Sequence, residues 1–324
     1  MFTYLSKIIN STNPNLFFMQ LLLILAIVFV CIHLHRISES PYSKKNKALE
    51  GFQQDHPYVL KQNQDIYDDF FAEMYDSVNI RNKICQRELF QIVKMTEPTT
   101  QNSIFLDVGS GTGCVVNELI TAGYYAYGVD KSKYMTDYAE TLYPDITIKI
   151  ADILDPMTYE TGIFTHILCL NFTIYELDKK CFFNNCYYWL KPNAYLIVHL
   201  VDPNKFSTKK YLKFKGELTT LYDSLFPESN NSERKTFTTV DYDDCKYEEG
   251  YQFSNNSSIV TFKQTFTDKH SKNIRENEQI LKMESIDEIL DIAKKSGFIV
   301  HGKTEMKGIN GDEHQYLYVF EKGI

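Results

Sequence analysis

The residues best able to do chemistry lie in a short, ordered stretch of the chain. Asp107 is followed at once by Gly109-Ser110-Gly111-Thr112-Gly113, between an apolar run at Ser103–Val108 and a helix-like run at 114–122. A glycine-rich turn there lets a ligand approach backbone N–H groups, and the following helix dipole favours negative charge at that point. Asp130 closes the next apolar run, where a carboxylate can accept hydrogen bonds from both hydroxyls of a ribose. Asp152, in Ala151-Asp152-Ile153, stands just past the run after that, where an acid can meet an adenine amine. Asn171 follows a fourth run, Phe164–Leu170. None of the seven cysteines forms a CxxC pair or a Cys/His cluster with zinc spacing, so no metal site is expected. Their odd count and scatter fit free thiols in a reducing compartment.

These residues need a scaffold, and the pattern around them supplies one. Ile84, Leu89, Ile92 and Val93 are spaced as the buried stripe of a helix. Strands are expected at Ser103–Val108, Tyr124–Asp130, Ile146–Ile150, Phe164–Leu170 and Tyr195–Leu200, with helices at 114–122, Ser132–Tyr143 and Leu177–Leu190 between them. Such alternation predicts parallel pairing with helices on both faces, a doubly wound α/β sheet. Segments 236–240, 246–253, 258–267 and 274–283 alternate in polarity and read as an antiparallel β insert. Ser285–Ser296 reads as a helix, with strands at 297–300 and 315–321.

The N-terminus has a different character. Leu16–Ile32 is apolar on every side but for Gln20, and seventeen helical residues reach about 25 Å, short of a hydrocarbon core of roughly 30 Å but within the range of spans. A cleaved signal peptide is the rival reading, although its apolar region is normally shorter and the only small-residue site downstream is Ser38-Glu39-Ser40. Lys7 precedes the run, whereas Arg36, Lys44, Lys45 and Lys47 follow it, so the positive-inside rule leaves the large domain in the cytosol. The expected organisation is a tail at 1–15, a transmembrane anchor at 16–32, a polar tether at 33–64, a core at 65–202, the β insert at 203–283 and the end of the core at 284–324. With Lys+Arg 34 against Asp+Glu 42 the net charge is −8, and such a chain lacks the basic surface that drives binding to nucleic-acid phosphates.

The glycine loop, Asp130, Asp152 and the Lys191-Pro192-Asn193-Ala194 turn together resemble the class I S-adenosylmethionine-dependent methyltransferases. The loop is GxGxG, with Cys114 where a dinucleotide loop carries its third glycine, which separates it from a nicotinamide dehydrogenase. The stretch FTIYEL…FFNNCYYWLKP is also similar to uncharacterised methyltransferase-like proteins of large DNA viruses. The resemblance implies a Rossmann-like sheet with a terminal antiparallel hairpin and S-adenosylmethionine as cofactor. It implies further that Gly109, Gly111 and Gly113 line the methionine part, Asp107 orients the loop, Asp130 holds the ribose, Asp152 and Ile153 frame the adenine, and Asn171 faces the methyl donor. Tyr67 and Tyr75, in IYDDFFAEMYD (66–76), are candidate lid residues, and the insert is the expected roof of the acceptor site. Tyr75, Tyr175 and His199 are the catalytic candidates. The family's Lys-Pro-Gly-Gly is here Lys-Pro-Asn-Ala, and Asn193 would have to take the left-handed conformation. The acceptor is left open among a small molecule, a lipid-linked group and a protein side chain. A membrane-tethered module without turnover is the alternative.

Overall fold

The computed structural model describes residues 28–29, 56–207, 237–254 and 258–323. The expected anchor at 16–32 lies outside them apart from Val28 and Phe29, which are helical and exposed. Among the described residues no helix is long and apolar enough to cross a membrane. Met1–Glu50 and Gly51–Ile324 are separate units, and every strand and helix named below belongs to the second.

Seven strands form the main sheet: β2 (Ile104–Val108), β3 (Tyr125–Asp130), β4 (Ile148–Ile150), β5 (Phe164–Cys169), β6 (Leu190–Val201), β11 (Phe298–Glu305) and β12 (Gln315–Lys322). Their order is β11-β12-β6-β5-β2-β3-β4, with β2 to β6 all parallel and β12 antiparallel to both β6 and β11. The terminal hairpin is thus present. The parallel strands are buried on both faces, as crossover helices require: Leu106 and Val108 face one apolar cluster with Trp189 and Leu196, while Phe105 faces another with Val116 and Ile197.

The helices are α1 (Asp69–Asn79), α2 (Arg81–Thr96), α3 (Cys114–Thr121), α4 (Lys133–Leu142), α5 (Lys179–Trp189), α6 (Ile286–Lys295) and the short α7 (Lys307–Asn310). Side chains one residue outside the helix satisfy first-turn N–H groups: Asp68 for α1, Ser132 for α4, Asp178 for α5, and a Ser285/Glu288 capping box for α6. β6 begins earlier than the sequence suggests, at Leu190, and runs through the Lys191-Pro192 turn; Asn193 takes φ +59°, as that turn needs.

A second sheet is built from β1 (Tyr58–Gln62), β7 (Phe237–Asp241), β8 (Cys245–Phe253), β9 (Ile259–Asp268) and β10 (Ile274–Lys282), in the order β1-β10-β9-β8-β7. β7 to β10 form the antiparallel meander. β1 corrects the reading of 33–64 as a tether throughout: it pairs in parallel with β10, from Tyr58 with Ile274 to Gln62 with Glu278. The five-residue strand carries little apolar patterning of its own, so only its partner reveals it. Along β8 buried and half-buried residues alternate, and Tyr251, Val260 and Leu281 turn inward to join the core beneath the main sheet.

Arg275 of β10 fastens this sheet to the entry helix. It is buried, and its guanidinium donates to Asp68 at 2.8 Å, to the Ile66 carbonyl at 3.0 Å and to Asn277 at 3.0 Å, over the Phe70 ring. Arg275→Met removes a charge whose partners stay behind. The expected cost is roughly 2–4 kcal/mol of unfolding free energy, read as a lower urea midpoint with an unchanged slope.

The expectation of free thiols is corrected at one pair. Cys85 of α2 and Cys114, the first residue of α3, are joined as a disulfide, because these two helices pack together directly after the glycine loop. Cys169, Cys181, Cys186 and Cys245 are free.

Candidate active site

One cavity opens at the carboxyl ends of β2, β3 and β5, where an open α/β sheet binds its ligands. Gly109 and Gly111 form one wall, Asp130, Asp152 and Ile153 another, and Asn171 the third. The loop is held by the strand beside it: Gly109 and Ser110 donate to the Val129 carbonyl, and Gly111 N–H donates to Asp130 Oδ2 at 2.9 Å. Asp130 Oδ1 accepts from Ser132 N–H at 2.8 Å. Burial raises the pKa of Asp130, and these backbone donors oppose it.

The glycines act by what they leave out. Gly111 has φ +53°, and a Cβ there would meet Met135 at 3.3 Å and Tyr75 at 3.5 Å across the cavity mouth. Gly109 has φ +65°, and its Cβ would lie 2.7 Å from Thr173. Gly113 lies outside the cavity lining; its Cβ would strike Ile146 of the adjoining packing, so its task is to seat α3.

Two consecutive residues at the exit of β5 are left-handed without being glycine, Asn171 at φ +49° and Phe172 at φ +70°. For a bulky residue such as Phe172 this is a strained conformation, costing about 1–3 kcal/mol, of the kind found at ligand sites. The strain turns Asn171 toward the entry helix: its Nδ2 donates to Tyr75 Oη at 2.8 Å. The Thr112 hydroxyl donates to Asp76 at 2.5 Å, and the Ser132 hydroxyl to the Tyr67 carbonyl at 2.7 Å. Helix α1 and the turn before it are thereby bonded to the glycine loop, to the exit of β5 and to the cap of α4, and line the cavity.

The predicted residues divide accordingly. Gly109, Gly111, Asp130, Asp152, Ile153, Asn171, Tyr67 and Tyr75 all line the cavity. Asp152 pairs with Lys131 at 2.9 Å, and that hydrogen bond, with one from Leu154 N–H, lowers its pKa. Asp107 does not line it; it is buried in β2, where burial pushes its carboxyl up to about 8 despite Arg81. Two catalytic candidates are corrected. Tyr175 is buried against β6, accepting from Val201 N–H at 2.8 Å. His199 is buried too, bonded through Nε2 to Gln315 at 3.0 Å, and burial drives its pKa down to about 4. Both belong to the packing beneath the site; Tyr75 alone of the three reaches the cavity, its phenol pushed up to about 12 by burial.

The cavity continues past Asn171 under the second sheet, where Phe172, Glu176, Leu177, Tyr251, Phe262, Gln264, Gln279 and Leu281 line it. Sequence reasoning missed Glu176, Gln264 and Gln279. Glu176 could have been found by following the loop after the fourth strand, since that loop must lie on the ligand edge. Nothing in an alternating strand marks which polar residue faces inward, so the two glutamines carry no such signal.

Comparison with known proteins agrees with this fold. Residues 106–198 match the family model described as a methyltransferase domain. Among solved structures, the chain is similar to an S-adenosylmethionine-dependent methyltransferase from Clostridium acetobutylicum, at 18% identity over 78% of this chain and 98% of that one, with a TM-score of 0.56. It is similar to the CcbJ methyltransferase from Streptomyces caelestis, at 15% identity over 80% and 98% of the two chains, TM-score 0.59. A third likeness is to an amino pentose methyltransferase from Micromonospora echinaspora with S-adenosylmethionine bound, at 16% identity over 77% and 96%, TM-score 0.54. No curated protein sequence matches. The chain carries a methyltransferase domain and is an enzyme of that class. S-adenosylmethionine is its cofactor, and the site fits it: Asp130 ends β3 beside a glycine cradle that a single Cβ would crowd.

Proposed function

We propose that this enzyme methylates an acceptor held between Asn171 and the second sheet, and that it works at a membrane, anchored through 16–32 with its large domain facing the cytosol. The observation that carries the first part is the continuity of one cavity from Gly109, Gly111 and Asp130, past Asn171, to Tyr251, Phe262 and Gln279. The apolar run Leu16–Ile32 and the excess of lysine and arginine after it support the second. The acceptor is a small molecule, a lipid-linked group or a protein side chain.

S-adenosylmethionine supplies a methyl group on a sulfonium, already activated, so the chain's task is to position and to exclude water. The loop and Asp130 fix one end of the cavity. The hydrogen bond between Tyr75 and Asn171 fixes the middle. Phe172, Tyr251 and Phe262, the last two stacked at 4.5 Å, form an apolar wall over the far end. The test is to incubate full-length protein in vesicles with donor labelled in its methyl group and a mixed extract of metabolites and membranes. Label should enter an extract component, and the large domain should be open to protease added outside inside-out vesicles. Absence of label transfer in protein that binds the donor would oppose turnover, and protection of the domain would oppose the orientation.

A further inference from the structure

Glu176 is a carboxylate on the cavity wall to which the reading above gives no role. This residue ends the 3-10 turn Thr173–Glu176 that follows β5, and it lines the cavity at an exposed position beside Asn171 and Phe172. Its carboxylate accepts from Tyr67 Oη at 2.8 Å, and Gln279 Nε2 donates to the same phenol at 3.1 Å. Among the described residues no cation pairs with it. The groups that act on it are Tyr67 and Tyr75 from the entry segment, Asp130 from β3, Cys169 from β5 and Gln279 from β10, all neutral or anionic. A carboxylate on the cavity wall with no cation beside it offers a charge-assisted contact to a cationic ligand that enters there.

We propose that Glu176 recognises the cationic nitrogen of an amine acceptor and takes the proton that the nitrogen must lose before methylation. This rests on the methyl-transfer reading above and names its substrate class. An ammonium has no lone pair. Its proton passes to Glu176, the N–H bonding pair becomes the nitrogen lone pair, and that pair forms the new N–C bond as the methyl–sulfur pair stays on sulfur. The nitrogen ends methylated and again cationic. Glu176 is suited to this: desolvation by the surrounding cavity walls, reinforced by Asp130, pushes its carboxyl up to about 7, so it is a stronger base than a freely solvated glutamate. Phe172, Tyr251 and Phe262 offer aromatic faces to the same cation.

The cofactor is itself cationic, so the experiment must separate the two sources of positive charge. Full-length protein is saturated with S-adenosylhomocysteine, whose own affinity is recorded, and then titrated by calorimetry with matched probes: benzylamine against benzyl alcohol and cyclohexylamine against cyclohexanol. At pH 8 at least one amine should bind about tenfold or more tightly than its alcohol, as a charge-assisted contact gives. That preference should shrink as the pH falls through about 7, because Glu176 gains its proton while both amines stay charged throughout that range. Glu176→Gln should abolish the preference and hold S-adenosylhomocysteine affinity within about threefold, since the amide keeps the Tyr67 contact and loses only charge. Equal binding of alcohols, no amine binding, or a preference that survives in Glu176→Gln overturns the proposal. A variant that loses cofactor affinity with amine preference intact assigns Glu176 to the cofactor instead. Failure of the parent protein to bind S-adenosylhomocysteine would strike at methyl transfer itself, a separate failure.

Discussion

Gly111→Arg protein should unfold cooperatively and yet give no heat with S-adenosylhomocysteine. The left-handed conformation at φ +53° costs an arginine about 1–2 kcal/mol, which a core of this size tolerates. The first side-chain atom would already touch Met135 and Tyr75, and the rest of the arginine has only the cavity to enter. Its charge would also sit against a cofactor that is itself cationic. Affinity should therefore fall beyond calorimetric detection, while far-ultraviolet circular dichroism matches the parent. A bound cofactor in a folded Gly111→Arg protein would show that the ligand does not lie along the glycine loop.

Asp130→Ala is expected to weaken S-adenosylhomocysteine by about 10- to 100-fold, the worth of hydrogen bonds to a charged acceptor at roughly 1.5–3 kcal/mol. Two losses combine. Ribose hydroxyls placed as proposed would lose their acceptor, and the N–H groups of Gly111 and Ser132 lose theirs, so the loop is no longer held by this carboxylate. Asp130→Asn, which keeps one acceptor oxygen, should fall between the two. Equal affinities for all three proteins by calorimetry would remove Asp130 from the site.

Much of the scaffold is legible in the sequence because its signals are local and repeated. Strands buried on both faces read as short apolar runs, glycines and prolines punctuate them, and each crossover brings its next acid to the same edge of the sheet. Residue order alone therefore sets Asp130, Asp152 and Asn171 along one edge. What is not legible depends on partners distant in sequence. β1 is a strand only because β10 lies beside it, more than 200 residues on. His199 ends a run and Tyr175 follows one, both on the edge of the site, but their side chains are held in the packing below by Gln315 and by Val201. Glu176 owes its character to the cavity it lines, to Tyr67 and to Asp130, and neither of those residues is near it in the chain. The pairing of Cys85 with Cys114 likewise follows from helix packing and not from cysteine count.

The central proposal is that the glycine loop and Asp130 hold S-adenosylmethionine and not a nicotinamide cofactor, and every other role proposed for the cavity depends on that. Isothermal titration of the full-length protein with S-adenosylhomocysteine and, separately, with NADH tests it directly. Saturable heat at a single site is expected for S-adenosylhomocysteine and none for NADH. Heat with NADH and none with S-adenosylhomocysteine would contradict the assignment.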